Sequence, residues 1–138
     1  EASQAGVRIE LIIRGMCSLY PGRENLSENI SVISIIGQFL EHSRVFWFGN
    51  GGNPEVYIGS ADWMPRNLDR RVEAVTPVEE PDLRIKLERL LELYLADNRG
   101  AWDMQSDGSF VQRQPGEQEE RNSQVQLTEL WRQGLQNN

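Results

Sequence analysis

The sequence contains one cysteine, one lysine and one histidine in 138 residues, and it has no long apolar run. A lone Cys17 cannot form an internal disulfide, which leans towards a reducing, cytoplasmic setting. As a nucleophile it would need a base, and His42 is the only histidine. A buried structural thiol is therefore expected. No stretch approaches the ~20 apolar residues that cross a bilayer, and no secretory signal is present. Basic charge is almost all arginine, with Lys86 the only lysine. Arginine's planar fork suits bidentate phosphate binding, although genomic bias also enriches it. The net charge of −7 argues against a nucleic-acid surface, which carries a basic stripe.

The charge is unevenly spread. Most of the acidic excess follows Val75, while the stretch before it keeps Arg14, Arg23, Arg44, Arg66, Arg70 and Arg71. A local arginine cluster can hold a small anion such as a phosphate chain within an acidic protein. Hydrophobic content of 38% and this length fit one domain. Its main body is expected at 1–111, with 112–138 as a polar loop and terminal helix of the same domain. Residues 1–7 lack a starting Met and read as a helix end turning into a strand. The chain is expected to be a piece of a longer protein.

Val7–Arg14 alternates and then becomes solidly apolar, which predicts a buried strand ended by Gly15. Residues 17–29 read as a loop. Ile30–Ile36 is β-branched and predicts a strand, and Gly37–His42 predicts a short helix. Arg44–Phe48 and Glu55–Gly59 predict a hairpin around the turn cluster 49–54. Pro65–Asp69 reads as a turn or one helical turn, and Arg70–Pro77 as a strand. From Pro81 to Ala96, leucines and Tyr94 recur at helical spacing behind an initial proline. Residues 112–124 lack apolar content and predict a mobile loop. Ser123–Leu135 predicts a last helix. The order implies an α/β domain with a mixed β-sheet and flanking helices.

Three clusters carry chemistry. Arg14-Gly15 ends a buried strand, where α/β folds place ligand groups; it also reads as a solvated strand end. Glu41-His42-Ser43-Arg44 holds the only histidine. In an extended segment residues i and i+2 share a face, so His42 and Arg44 would point together. Such a pair suits a phosphoryl group, with His as acid, base or nucleophile and Arg as clamp. A lone surface or core histidine is the plainer reading. The third cluster is the run from Gly59 to Arg71, with small residues at 59–61 that let backbone approach a ligand. Its Asp62 also suits a cap on a helical turn.

The run Ile58-Gly59-Ser60-Ala61-Asp62-Trp63-Met64-Pro65-Arg66-Asn67-Leu68-Asp69-Arg70-Arg71-Val72-Glu73 resembles a signature near the C-terminus of bacterial polyphosphate kinases. So do Ile13-Arg14-Gly15-Met16-Cys17, Leu26-Ser27-Glu28-Asn29-Ile30, Phe39-Leu40-Glu41-His42-Ser43-Arg44, Asn50-Gly51-Gly52 and Glu55-Val56-Tyr57. The resemblance runs from about Val7 to Leu95 with its spacing intact, and it is loose after Asn98. Ordered segments of this length are far more specific than a short motif.

The resemblance implies an ATP:polyphosphate phosphotransferase that works reversibly through a phosphohistidine on a preceding domain, absent here. It implies a phospholipase D-like half, in which His42-Ser43-Arg44 stands for H-x-K and Gly59-Ser60-Ala61-Asp62 for G-S-x-N. The arginine matching Arg14 binds ATP in the family. The histidine matching His42 lies at the nucleotide phosphates and assists transfer as an acid. Arg44, Ser60, Arg66 and Arg70 are expected to bind ATP or phosphate; Arg66 and Arg70 could equally pair with Asp62, Asp69 and Glu73. The implied ligands are ATP/ADP and Mg²⁺, with the metal ligands outside this chain. The implied partners are polyphosphate, preceding domains of the same parent and, for the parent, a homo-oligomer. The implied location is cytoplasmic, with peripheral membrane association of the parent left open. The chain alone is expected to be inactive. Two rivals stand beside this reading: a phospholipase D-like phosphodiesterase half and a non-catalytic phosphate-binding module.

Overall fold

In a computed structural model, which describes residues 1–136, seven strands and three helices follow one another along the chain. They are β1 (Ile9–Ile12), β2 (Ile30–Ile35), β3 (Val45–Phe48), β4 (Glu55–Gly59), α1 (Pro65–Leu68), β5 (Val75–Pro77), α2 (Pro81–Ala96), β6 (Ala101–Met104), β7 (Phe110–Gln112) and α3 (Ser123–Gln136). They fall into two compact units, residues 42–92 and the segments that flank them.

The flanking unit is built on a four-stranded sheet in the order β1-β2-β6-β7. β1 and β2 are parallel, with Ile9 opposite Ile30, and the remaining pairs are antiparallel. β2 is central, and its run Val32-Ile33-Ser34-Ile35 is buried without alternation. A strand covered on both faces needs such a continuous apolar run. Ser34 tolerates burial because its hydroxyl donates to the Ile13 carbonyl. At the start of α3 the Asn122 side chain accepts from the Val125 amide (3.2 Å), an ordinary N-cap bond.

The unit of residues 42–92 holds a three-stranded antiparallel sheet, β3-β4-β5, with Val45 opposite Ile58 and Ile58 opposite Thr76. Val56 is its most deeply buried apolar side chain. The β3–β4 connection passes through Asn50, Gly51 and Gly52 at φ of 40°, 62° and 98°. Only glycine and asparagine adopt left-handed backbone cheaply, which accounts for the N-G-G run.

The α/β class with a mixed sheet and flanking helices is the one observed, although the strands divide between two sheets. Two local expectations fail. Gly37–His42 is not a helix. The Gln124 side-chain amide pairs with both the N–H and the carbonyl of Phe39 (2.9 and 2.7 Å), taking the backbone groups that a helix would use. The strand expected over Arg70–Pro77 forms only at Val75–Pro77, because the Ala74 N–H bonds the Ser60 hydroxyl (3.0 Å) instead of a ladder partner. Residues 113–122 form the expected loop, which is held at several points. Asn98 exchanges bonds with Arg121 and Glu119, and Arg113 grips both Asp103 carboxylate oxygens (2.8 Å each). β6 and β7 were not anticipated at all.

Cys17 is half-buried, not fully buried, with its thiol 3.7 Å from the Leu19 carbonyl. The last-helix expectation agrees with α3; residues 137–138 of the expected tail lie outside the described residues. Among the described residues no helix is long and apolar enough to cross a membrane.

Candidate functional site

His42 and Arg44 stand at the entry to β3, in the unit of residues 42–92. Arg44 Nε and Nη2 both lie 3.0 Å from Asp62 Oδ1, in the loop that follows β4. The two side chains are about four-fifths buried, with 17% and 21% of their surface exposed. At that depth the pair is screened less than a surface ion pair. Arg44 Nη1 then reaches back to His42, 3.3 Å from Nδ1 and 3.2 Å from its own carbonyl. A guanidinium only donates. A hydrogen bond at this contact has Nδ1 as its acceptor, which is the neutral tautomer carrying its proton on Nε2. His42 itself is exposed. The i, i+2 spacing does bring the imidazole and guanidinium together. Asp62 serves Arg44 and not the helix: the N-cap of α1 is Met64, with no side-chain cap bond.

Ser60 is positioned by β4, whose last residue, Gly59, packs tightly. A Cβ there would lie 3.2 Å from Val75 Cγ2 and 3.3 Å from the Ala74 carbonyl. The Ser60 hydroxyl donates to Glu73 Oε2 (2.5 Å) and accepts from the Ala74 N–H. Its only proton is thus engaged within the protein. Glu73 also accepts from Asn67 Nδ2 (2.6 Å), which ties α1 to the end of β4. The Ser60 hydrogen bond holds the Glu73 carboxyl below its usual range; the Asn67 bond helps, with smaller aid from Arg71 and Arg44. Ser60→Ala is expected to return the Glu73 titration towards ordinary glutamate values, read by carbon NMR of the carboxyl. An unmoved titration would show that Ser60 is not its main cause.

Arg66 and Arg70 are exposed, and among the described residues neither forms an ion pair. The alternative pairing with Asp62, Asp69 or Glu73 is absent from these ion pairs; Asp62 holds Arg44, and Glu73 holds Ser60 and Asn67. Both arginines remain cations facing solvent beside the His42 cluster's own loop.

Arg14 belongs to the other unit, just past β1. Its Nη1 donates to the Glu41 carbonyl (2.9 Å). The Glu41 carboxylate in turn accepts from the Tyr94 hydroxyl (2.6 Å) and from Gln124 Nε2 (2.7 Å). The sequence reading missed this network. By pattern alone Tyr94 fits the apolar stripe of α2 and Gln124 belongs to a polar stretch. Among the described residues no three or more His, Cys, Asp or Glu side chains gather as a metal ion requires.

Together these features define an α/β domain with arginines and a single histidine set at strand ends. The chain belongs to the family described as polyphosphate kinase C-terminal domain 2, whose family model matches residues 1–124. That match continues well past Leu95, about where the spaced resemblance ends. The chain is 81% identical over 136 residues to a polyphosphate kinase of Parasynechococcus marenigrum, covering 98% of this chain and 19% of that protein. It is 55% identical over 130 residues to a polyphosphate kinase of Pseudomonas aeruginosa, covering 94% of this chain and 19% of that one. The crystal structure of polyphosphate kinase from Porphyromonas gingivalis superposes with a TM-score of 0.92 at 38% identity, over 99% of this chain and 21% of that chain. The chain thus spans about a fifth of the length of these relatives.

Proposed function

We propose that this chain is the phosphate-holding part of an enzyme that moves the terminal phosphate of ATP to polyphosphate and back. The observation that carries the reading is the Asp62–Arg44–His42 arrangement. Asp62 holds Arg44, and Arg44 meets the His42 ring at Nδ1; on this reading Nε2–H is the donor. Phosphoryl transfer asks for little covalent work from the protein. It needs in-line positioning and donors on the oxygens that gain charge. On this reading His42 donates to the β-phosphate oxygen as the bond to the γ-phosphorus breaks, and the electron pair stays on the ADP that leaves. Arg14 binds nucleotide phosphate, and Arg66 and Arg70 attract the polyanion. Arg44 is already half neutralised by Asp62, so its main work is to orient His42. Ser60 could contact phosphate only by giving up Glu73.

The resemblance to polyphosphate kinases implies that the phosphorylated histidine lies on a preceding domain, outside this chain. Among the described residues no cluster of carboxylates fits a Mg²⁺ site; Asp62 is engaged with Arg44, and Glu73 with Ser60 and Asn67. The metal would arrive on the ATP phosphates.

The test compares a full-length kinase carrying this chain with the chain alone, supplied with radiolabelled ATP and Mg²⁺. Label in long polyphosphate from the full-length protein and none from the chain alone is expected. Activity in the chain alone would overturn the external phosphohistidine. Cleavage of a phosphodiester instead would favour the phosphodiesterase rival.

A further inference from the structure

We propose that Glu41, clamped by Tyr94 and Gln124, is a positioning residue for Arg14. The inference rests on Arg14 as a nucleotide-phosphate ligand and adds what sets its aim. Arginine is long, and a guanidinium on a strand end has several rotamers; holding it still removes an ordering cost from ligand binding. The Glu41 carbonyl gives Arg14 a fixed acceptor (2.9 Å). That carbonyl can hold the guanidinium still only if the Glu41 backbone is itself fixed.

Glu41 lies in a segment without regular structure, so its backbone has no ladder or helix to define it. Side-chain ties take their place. The carboxylate is held on one oxygen by the Tyr94 hydroxyl and on the other by Gln124 Nε2 (2.6 and 2.7 Å). Gln124 also brackets Phe39, two residues earlier, on both its N–H and its carbonyl. Tyr94 and Gln124 are each 7% exposed, and both sit on helices, α2 and α3, which are rigid supports. Charge-assisted bonds of this length are the strong ones.

Gly37 is a separate sign that the segment is shaped around Gln124. A Cβ at that position would fall 2.4 Å from Gln124 Oε1 and 2.9 Å from Cδ. The glycine has no left-handed backbone to explain it; the space it leaves is occupied by the amide that holds Phe39 and Glu41. Gly37→Ala would displace that amide without touching Glu41 or Arg14.

The experiment is steady-state ATP-driven polyphosphate synthesis by a full-length kinase carrying this chain, with melting temperature recorded for each variant. Arg14→Ala, Tyr94→Phe, Gly37→Ala and the double variant Arg14→Ala/Tyr94→Phe are compared. Tyr94→Phe and Gly37→Ala are expected to raise KM for ATP about tenfold with kcat nearly unchanged, short of the about 10²-fold that an ångström of misplacement costs. The double variant should be no worse than Arg14→Ala alone, because residues acting through one another are not additive. A lower melting temperature with unmoved KM in Tyr94→Phe and Gly37→Ala would reduce the network to a structural one and overturn the proposal. Additive effects in the double variant would do the same. An unchanged KM in Arg14→Ala would overturn the phosphate role of Arg14 and this inference with it.

Discussion

His42→Ala, made in a full-length kinase carrying this chain, is expected to slow ATP-driven polyphosphate synthesis by about 10²–10³-fold, the usual worth of one preorganised hydrogen-bond donor at an oxygen that gains charge. The loss should appear in kcat, because the donor meets an oxygen whose charge grows only as the bond breaks. His42 is exposed, so the variant should melt as the parent does, which separates lost chemistry from lost fold. His42→Gln restores a neutral N–H donor near the Nε2 position and should recover part of the rate. Turnover within a few-fold of the parent would make His42 a structural residue and leave the chain a binding module.

The same geometry separates His42 from Arg44. The Arg44 fork touches Asp62 and His42 at once, which a lysine point charge cannot reproduce. This is where the chain departs from the H-x-K element it resembles. An arginine in that position gains a second task, orienting the ring, and the matching Asp62 in place of asparagine supplies the counter-charge.

How much was legible depended on the range of the forces involved. β1, β2 and α2 were readable because each is fixed by its own apolar pattern: a β-branched run for β2, a leucine stripe behind Pro81 for α2. Gly37–His42 was misread because its conformation is decided by Gln124, 85 residues from Phe39. β6 and β7, Ala101-Trp102-Asp103-Met104 and Phe110-Val111-Gln112, lack the β-branched apolar run that marks β1 and β2. One local signal did exist: Asp107-Gly108, with Gly108 at φ 89°, is the turn dipeptide that favours a hairpin.

The site divides in the same way. The His42–Arg44 juxtaposition follows from strand period alone and was legible. The partners of Ser60, Arg14 and Asp62 come from loops and strands remote in sequence, so only the fold could assign them. Ser60 shows the consequence. As a small hydroxyl at a strand end it reads as a phosphate donor, yet its proton goes to Glu73.

Asp97→Ala is expected to be the most damaging substitution to stability, by at least about 3 kcal/mol, since each buried donor left unpaired costs about 1–3 kcal/mol. Nothing in the sequence singles out this residue, just past the end of α2. In the fold it is 1% exposed. One oxygen accepts from the amides of Arg99, Gly100 and Ala101 (2.8, 2.6 and 3.1 Å), and the other from the amide and hydroxyl of Ser123 (2.7 Å each). Asp97 thereby joins the end of α2, the start of β6 and the N-terminus of α3, where a negative charge also meets the favourable end of the helix dipole. Burial pushes its carboxyl up, but the bonds from Ser123, Arg99 and Gly100 outweigh it and hold the carboxyl below its usual range. A depressed folded value means that the contribution is whole above the ordinary aspartate value of about 3.9 and is lost as pH falls through the folded one. Asp97→Asn should therefore flatten the acid limb of a urea-unfolding series run at successive pH values. The Gly100 and Ala101 amides should lose hydrogen-exchange protection in Asp97→Ala. A urea midpoint close to the parent's, with those amides still protected, would show that the three elements are joined by packing and not by this carboxylate.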